Sequence, residues 1–145
     1  MTYYDFYSPN LFLKDTHIEE MMGNIIFYGL FERAQNTHLY EPVIAQNYSI
    51  SEDKRIITVD INHGSYFSNG YPVTAYDVDF SYKLFMTPEV RDYLYSYYDT
   101  YDLLTTYFEN NDSIRAIDED TVQFEFKKPY VFWQDLLSLD IVNKK

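Results

Sequence analysis

Three kinds of side-chain chemistry are open to this chain, and each needs a particular spacing. Metal binding needs imidazoles, carboxylates or thiolates that converge. The histidines are His17, His38 and His63. His17 and Glu20 share a helix face at i, i+3, but no further ligand stands near them, and a capped surface helix explains both. The chain has no cysteine, which excludes thiolate sites and a disulfide framework. Acid–base catalysis needs paired carboxylates in unlike surroundings. Asp77 and Asp79 are close in sequence but fall on different helix faces. Asp118, Glu119 and Asp120 crowd one turn, where acids are normally solvated. Nucleophilic catalysis needs an activated hydroxyl. Ser65, Ser68 and Ser81 lack the G-x-S-x-G elbow. Neither a G-x-G-x-x-G pattern nor a phosphate loop occurs. The expectation is no catalytic residue, no cofactor, no metal and no enzyme.

Aromatic recognition is the remaining possibility. The chain holds 17 tyrosines, a residue with an apolar ring and a polar tip that suits half-buried positions and ligand walls. The densest run is Tyr93-Leu94-Tyr95-Ser96-Tyr97-Tyr98. Its rings could line a peptide or sugar groove. The same spacing also lets alternate tyrosines pack half-buried against a sheet.

The elements that would position these groups follow from pattern. Length, 145 residues, fits one domain with a core of its own. An apolar fraction of 46% excludes disorder. Net charge is −12, which disfavours nucleic acid and anionic membranes. No run is long and apolar enough to span a bilayer. Met1 to Asp5 lack the basic and apolar parts of an export signal, so the chain is expected to be cytosolic or a piece of something longer.

Thr16 and Glu19 have capping-box spacing. Met22, Ile25, Ile26 and Leu30 then recur at helical period, so a helix is expected to fade near Arg33 to Asn36. Gly23 and Gly29 are expected to allow close packing. Residues 37–45 read as a connection. Tyr48 and Ile50, the turn Ser51 to Lys54, and the alternating Ile57, Val59 and Ile61 read as a hairpin. Thr74 caps a second helix with Asp77 in its first turn; Ala75, Val78, Tyr82 and Phe85 form its buried face. Thr87-Pro88 opens a third helix. A second hairpin joins Ile114–Ile117 to Thr121–Phe126, with Val122, Phe124 and Phe126 facing one way. Residues 130–142 read as a short apolar helix. Hairpins and helices mix without βαβ alternation, so the class is α+β: a small antiparallel sheet packed with three to four helices.

Residues 48–82 carry a longer pattern. Ile50, Ser51 and Asp53 precede the alternating strand. Gly64, Phe67, Gly70, Pro72, Val73, Thr74, Ala75, Asp77, Val78, Phe80 and Ser81 then follow at fixed intervals. This array resembles the signature of the bacterial extracellular solute-binding proteins of peptide, nickel and opine uptake. Residues 24–31, 41–45 and 116–129 are similar to other parts of that family, so the likeness covers nearly the whole chain. Tyr48, Asn62 and Asn69 depart from it, standing where Trp, Arg and Asp are common.

The resemblance implies a two-lobed binding protein of an ABC importer. Residues 1–145 would be a single domain, part of the first lobe, with the second lobe and hinge elsewhere. It implies a peptide ligand, with nickel complexes or oligosaccharides as family alternatives. The implied partners are the importer's membrane permease and the second lobe. The implied location is periplasmic or cell-surface, with lipid anchoring open. Tyr97 and Tyr98 are the ligand-facing pair it suggests. A stand-alone carbohydrate-binding or adhesion module with a tyrosine platform is the alternative.

Overall fold

The computed structural model describes residues 27–93 and 98–144. The chain first makes two short strands, β1 (Phe31–Arg33) and β2 (Tyr40–Pro42), paired antiparallel with Phe31 opposite Pro42. It continues into β3 (Ala45–Ile50) and β4 (Ile56–Ile61). Three helices follow: α1 (Ala75–Phe85), α2 (Pro88–Tyr93) and α3 (Tyr98–Tyr107). A 3-10 turn at Asn111–Ser113 leads to β5 (Ile114–Ala116) and β6 (Thr121–Glu125). The one-turn helix α4 (Trp133–Leu136) comes last. The expected α+β class holds.

Strands β3, β4, β6 and β5 form one antiparallel sheet in that order. Alternation decides which face is covered. Ile57, Val59, Ile61, Val122 and Phe124 are buried, while Thr58, Asp60, Gln123 and Glu125 are not. Helix α1 packs over β5 and β6, with the Tyr82 ring edge-on to Phe124 at 5.1 Å. Each large apolar side chain buried in this way contributes roughly 1.5–3 kcal/mol. Ala75, Val78, Tyr82 and Phe85 all face the core.

The expected end of the first helix is corrected. Its beginning, with Thr16, Glu19 and Gly23, lies outside the described residues. Phe31–Arg33 is strand, and the expected connection contains its partner β2. Leu30 and Phe31 are fully buried because they sit between the sheet and the end of the chain, not on an amphipathic helix. The amides of both donate to the Leu137 carbonyl, at 3.1 and 3.3 Å. Gly29 does allow close approach, though in extended chain: a Cβ there would lie 2.5 Å from the Ser138 carbonyl carbon.

Candidate functional site

The residues of the expected signature turn out to organise the chain. Thr74 has extended backbone and ends the loop before α1. Its amide and hydroxyl both donate to Asp77 Oδ2, at 3.0 and 2.6 Å, which closes a capping box. Asp77 Oδ1 accepts from the Lys144 amide at 3.0 Å. One turn on, the Ser81 hydroxyl donates to the Asp77 carbonyl at 2.7 Å and accepts from the Val142 amide at 2.9 Å. The Tyr82 phenol donates to the Leu136 carbonyl at 2.7 Å. Burial pushes that phenol well above its usual range.

This geometry has a simple metric basis. Residues 77 and 81 are about 6.0 Å apart along a helix. Alternate amides of an extended chain are about 6.7 Å apart. A helix can therefore offer side-chain acceptors to an extended segment as a neighbouring strand offers carbonyls. Asp77 is thus a structural acceptor rather than half of an acid–base pair. Asp79 faces elsewhere and pairs with Lys83 at 2.8 Å. Asp118, in the β5–β6 turn, accepts from the amides of Asp120 and Thr121 at 2.9 and 2.8 Å. Those amides, Asp120 first, hold its carboxyl below the ordinary 3.8. Glu32 is shifted the other way: partial burial raises it, the Gly29 amide opposes this, and Asp140 adds to it.

Three concavities stand out among the described residues. The first, about 460 Å³, is mostly apolar and lies between the β3–β4 turn and residues 129–133; Ile50, Ile57, Tyr130, Val131 and Trp133 line it, with Glu52 and Lys54 at its turn side. Trp133 and Tyr130 in its wall belong to a wider set of aromatic contacts. The Trp133 ring lies 5.4 Å from Phe31 and 5.1 Å from Tyr48. Tyr130 stacks on Tyr107 at 3.9 Å, next to Lys128. The second, about 370 Å³, is more polar and lies by Tyr71, Tyr76, Glu119 and Lys144. The third, about 410 Å³, has Tyr28, Tyr66, Ser65 and Ser68 in its wall.

Of the ligand-facing pair, Tyr97 lies outside the described residues and Tyr98 opens α3. Tyr48 stands where the family often has Trp, and it takes an aromatic role against Phe31 and Trp133. Asn69 Oδ1 accepts from the Tyr71 amide at 3.2 Å, the bond an Asp would make there. The apolar groove escaped sequence reasoning. Its one signal is the apolar run Tyr130 to Trp133, inside the stretch that pattern reads as a short helix. Among the described residues, no helix is long and apolar enough to cross a membrane.

Residues 40–142 match the family described as bacterial extracellular solute-binding proteins, family 5 Middle. The chain belongs to that family. The uncharacterized protein YejA of Escherichia coli K12 is 33% identical over 100 residues, 69% of this chain and 14% of its own length. The dipeptide-binding protein DppE of Bacillus subtilis 168 is 35% identical over 66 residues, 46% of this chain and 12% of its own. Among solved structures, Listeria monocytogenes OppA bound to peptide superposes with a TM-score of 0.74 at 22% identity, covering 90% of this chain and 27% of that one. The Escherichia coli murein tripeptide binding protein MppA gives 0.75 at 21%, covering 89% and 27%. The chain spans only 12–14% of the length of these two curated relatives.

Proposed function

We propose that this chain is an accessory subdomain of the first lobe of a solute-binding protein that delivers peptides to an ABC importer. The family match over residues 40–142 carries the reading. In it, the sheet and α1 form a rigid scaffold and part of one cleft wall, and Tyr97 and Tyr98 face the ligand. The partners are the second lobe and the importer's permease, in the periplasm or at the cell surface. Binding needs no covalent step, and the chain is not an enzyme.

The described side chains support a scaffold role. Thr74, Asp77 and Ser81 spend their hydrogen bonds on backbone within the chain. The exposed tyrosines do not form one continuous platform: Tyr71 and Tyr76 line one concavity, Tyr28 and Tyr66 another, and Tyr48 packs on Trp133 beside a third. A cleft shared between two lobes loses half its walls when one lobe is absent. Calorimetric titration with a mixed di- to hexapeptide library tests this. The expected result is tight binding by the complete two-lobed polypeptide and none of that strength by residues 1–145 alone. Sub-micromolar binding by the chain alone would overturn the split-cleft reading, and loss of affinity in Tyr97→Ala or Tyr98→Ala of the complete polypeptide tests the pair.

A further inference from the structure

The two edges of the four-stranded sheet are treated differently. Strand β5 is three residues long and carries Arg115. A short, charged edge resists further pairing. Strand β3, at the other edge, runs six residues as Ala-Gln-Asn-Tyr-Ser-Ile, with no charge and no proline. Its one irregularity is a bulge at its start, between Ala45 and Asn47.

The pairing register shows which groups point outward. The Ser51 amide donates to the Ile56 carbonyl at 2.9 Å. Antiparallel ladders alternate, so Ser49 opposite Thr58 and Asn47 opposite Asp60 direct their backbone into the sheet. The N–H and C=O of Tyr48 and Ile50 therefore point away from it. Among the described residues, no hydrogen bond engages them. Their side chains are 48% and 44% exposed. Tyr48 abuts Trp133, and Ile50 lines the apolar groove. Open backbone groups and an apolar groove thus lie side by side.

We propose that the β3 edge is a docking site for an extended peptide segment, which pairs with the backbone of Tyr48 and Ile50 and sends alternate apolar side chains into the groove beside Trp133. This is strand addition: main-chain bonds hold the segment and a pocket selects its side chains. Charge selects against a second copy of this chain, because each copy carries −12 and like charges repel. The occupant is a neutral or basic segment. The site lies on β3 and does not depend on the cleft reading.

Trp133 is the sole tryptophan, so its fluorescence reports the groove. The 145-residue chain would be titrated with a capped peptide of alternating valine and threonine with lysine at each end. Saturable binding is expected with Kd on the order of 0.1 mM, since few bonds must offset the ordering of a free peptide. Two isomers, N-methylated on every valine or on every threonine, divide strand pairing from side-chain capture. One isomer is expected to lose at least about tenfold, because its donors face the edge, while the other keeps most affinity. Ile50→Pro removes one outward N–H where an edge strand tolerates proline. It is expected to weaken binding about fivefold, with Ile50→Val close to the parent. No binding, equal binding by both isomers, or binding unmoved by Ile50→Pro overturns the proposal. So does concentration-dependent dimerisation that Ile50→Pro abolishes, which would assign the edge to a second copy. Tight cleft binding, if the chain has it, would survive Ile50→Pro and is thereby distinguished.

Discussion

At the scale of single residues, Gly29 shows how little room the fold leaves at one point. A Cβ there would collide with backbone at Ser138, not with a side chain that can swing away. Gly29→Ala is expected to cost about 3 kcal/mol in urea unfolding. Amide exchange at Leu30, Phe31 and Ile141 should accelerate with it, because their bonds join the same two segments. The hydroxyl of Ser81 and the carboxylate of Asp77 were legible as a motif but not as a contact. Their partners are 61 and 67 residues away, and no local pattern encodes a bond of that span. Thr74 was legible as a cap and Asp77 as a first-turn acid, though not as the two halves of a capping box. Tyr97 and Tyr98 gained their suggested role only through resemblance.

At the scale of elements, period decided what could be read. The hairpin β3–β4, the hairpin β5–β6 and α1 each carry an unbroken alternation or helical face, and each was found where expected. Strands β1 and β2 were missed because three residues are too few to show a period of two and no tight turn joins them; β5, equally short, was legible from the acidic turn that leads to β6. Leu30 also stands at helical spacing from Met22 and Ile26, which carried the expected helix over strand residues. Both long hairpins close on an aspartate. Asp53 accepts from the Ser51 hydroxyl at 2.6 Å and the Arg55 amide at 3.2 Å, and these bonds, the hydroxyl first, lower its carboxyl below 3.8. Asp118 is lowered likewise. A carboxyl with a lowered folded value binds a proton more readily when unfolded. The stability that both turns add is therefore present above pH 3.8 and lost as acid titrates the folded form. The stability gap between the parent and Asp118→Ala is expected to narrow below that pH in denaturation series. In the same first turn, Lys54 sits at φ 58, where a Cβ is disfavoured. Lys54→Gly is expected to raise stability by about 0.5–1 kcal/mol, read from the urea midpoint.

At the scale of the whole molecule, charge is the dominant departure from balance. With 23 acidic and 11 basic residues, the folded chain repels itself. Few ion pairs offset this: among the described residues, Lys83 with Asp79 and Lys127 with Glu109 are the lysine pairs, and surface pairs contribute about 0–1 kcal/mol each. The melting temperature is expected to rise by a few degrees between 0.01 and 0.15 M salt, as the Debye length shortens from about 30 to about 8 Å. A flat response would mean the acids are spaced widely enough not to interact. The family and the α+β class were legible at this scale because the signature falls on the elements that build the sheet and α1. The groove was not, since it forms where Ile50 and Ile57 meet residues 129–133, a contact no local pattern encodes; nor was the open edge, which depends on the order of strands in the sheet.

The seam that joins the first described strand to the last segment also has a mechanical meaning. The Ile141 amide bonds to the Tyr28 carbonyl, and Leu30 bonds to Leu137 just inside it. The two segments run antiparallel, and beyond Ile141 the amides of Val142 and Lys144 are anchored on Ser81 and Asp77 of α1. A force drawing Tyr28 away from Lys144 would load those anchors and then the seam one bond at a time, in peeling, before it reached the four-stranded sheet. The seam and its anchors on α1 are the zip that yields first.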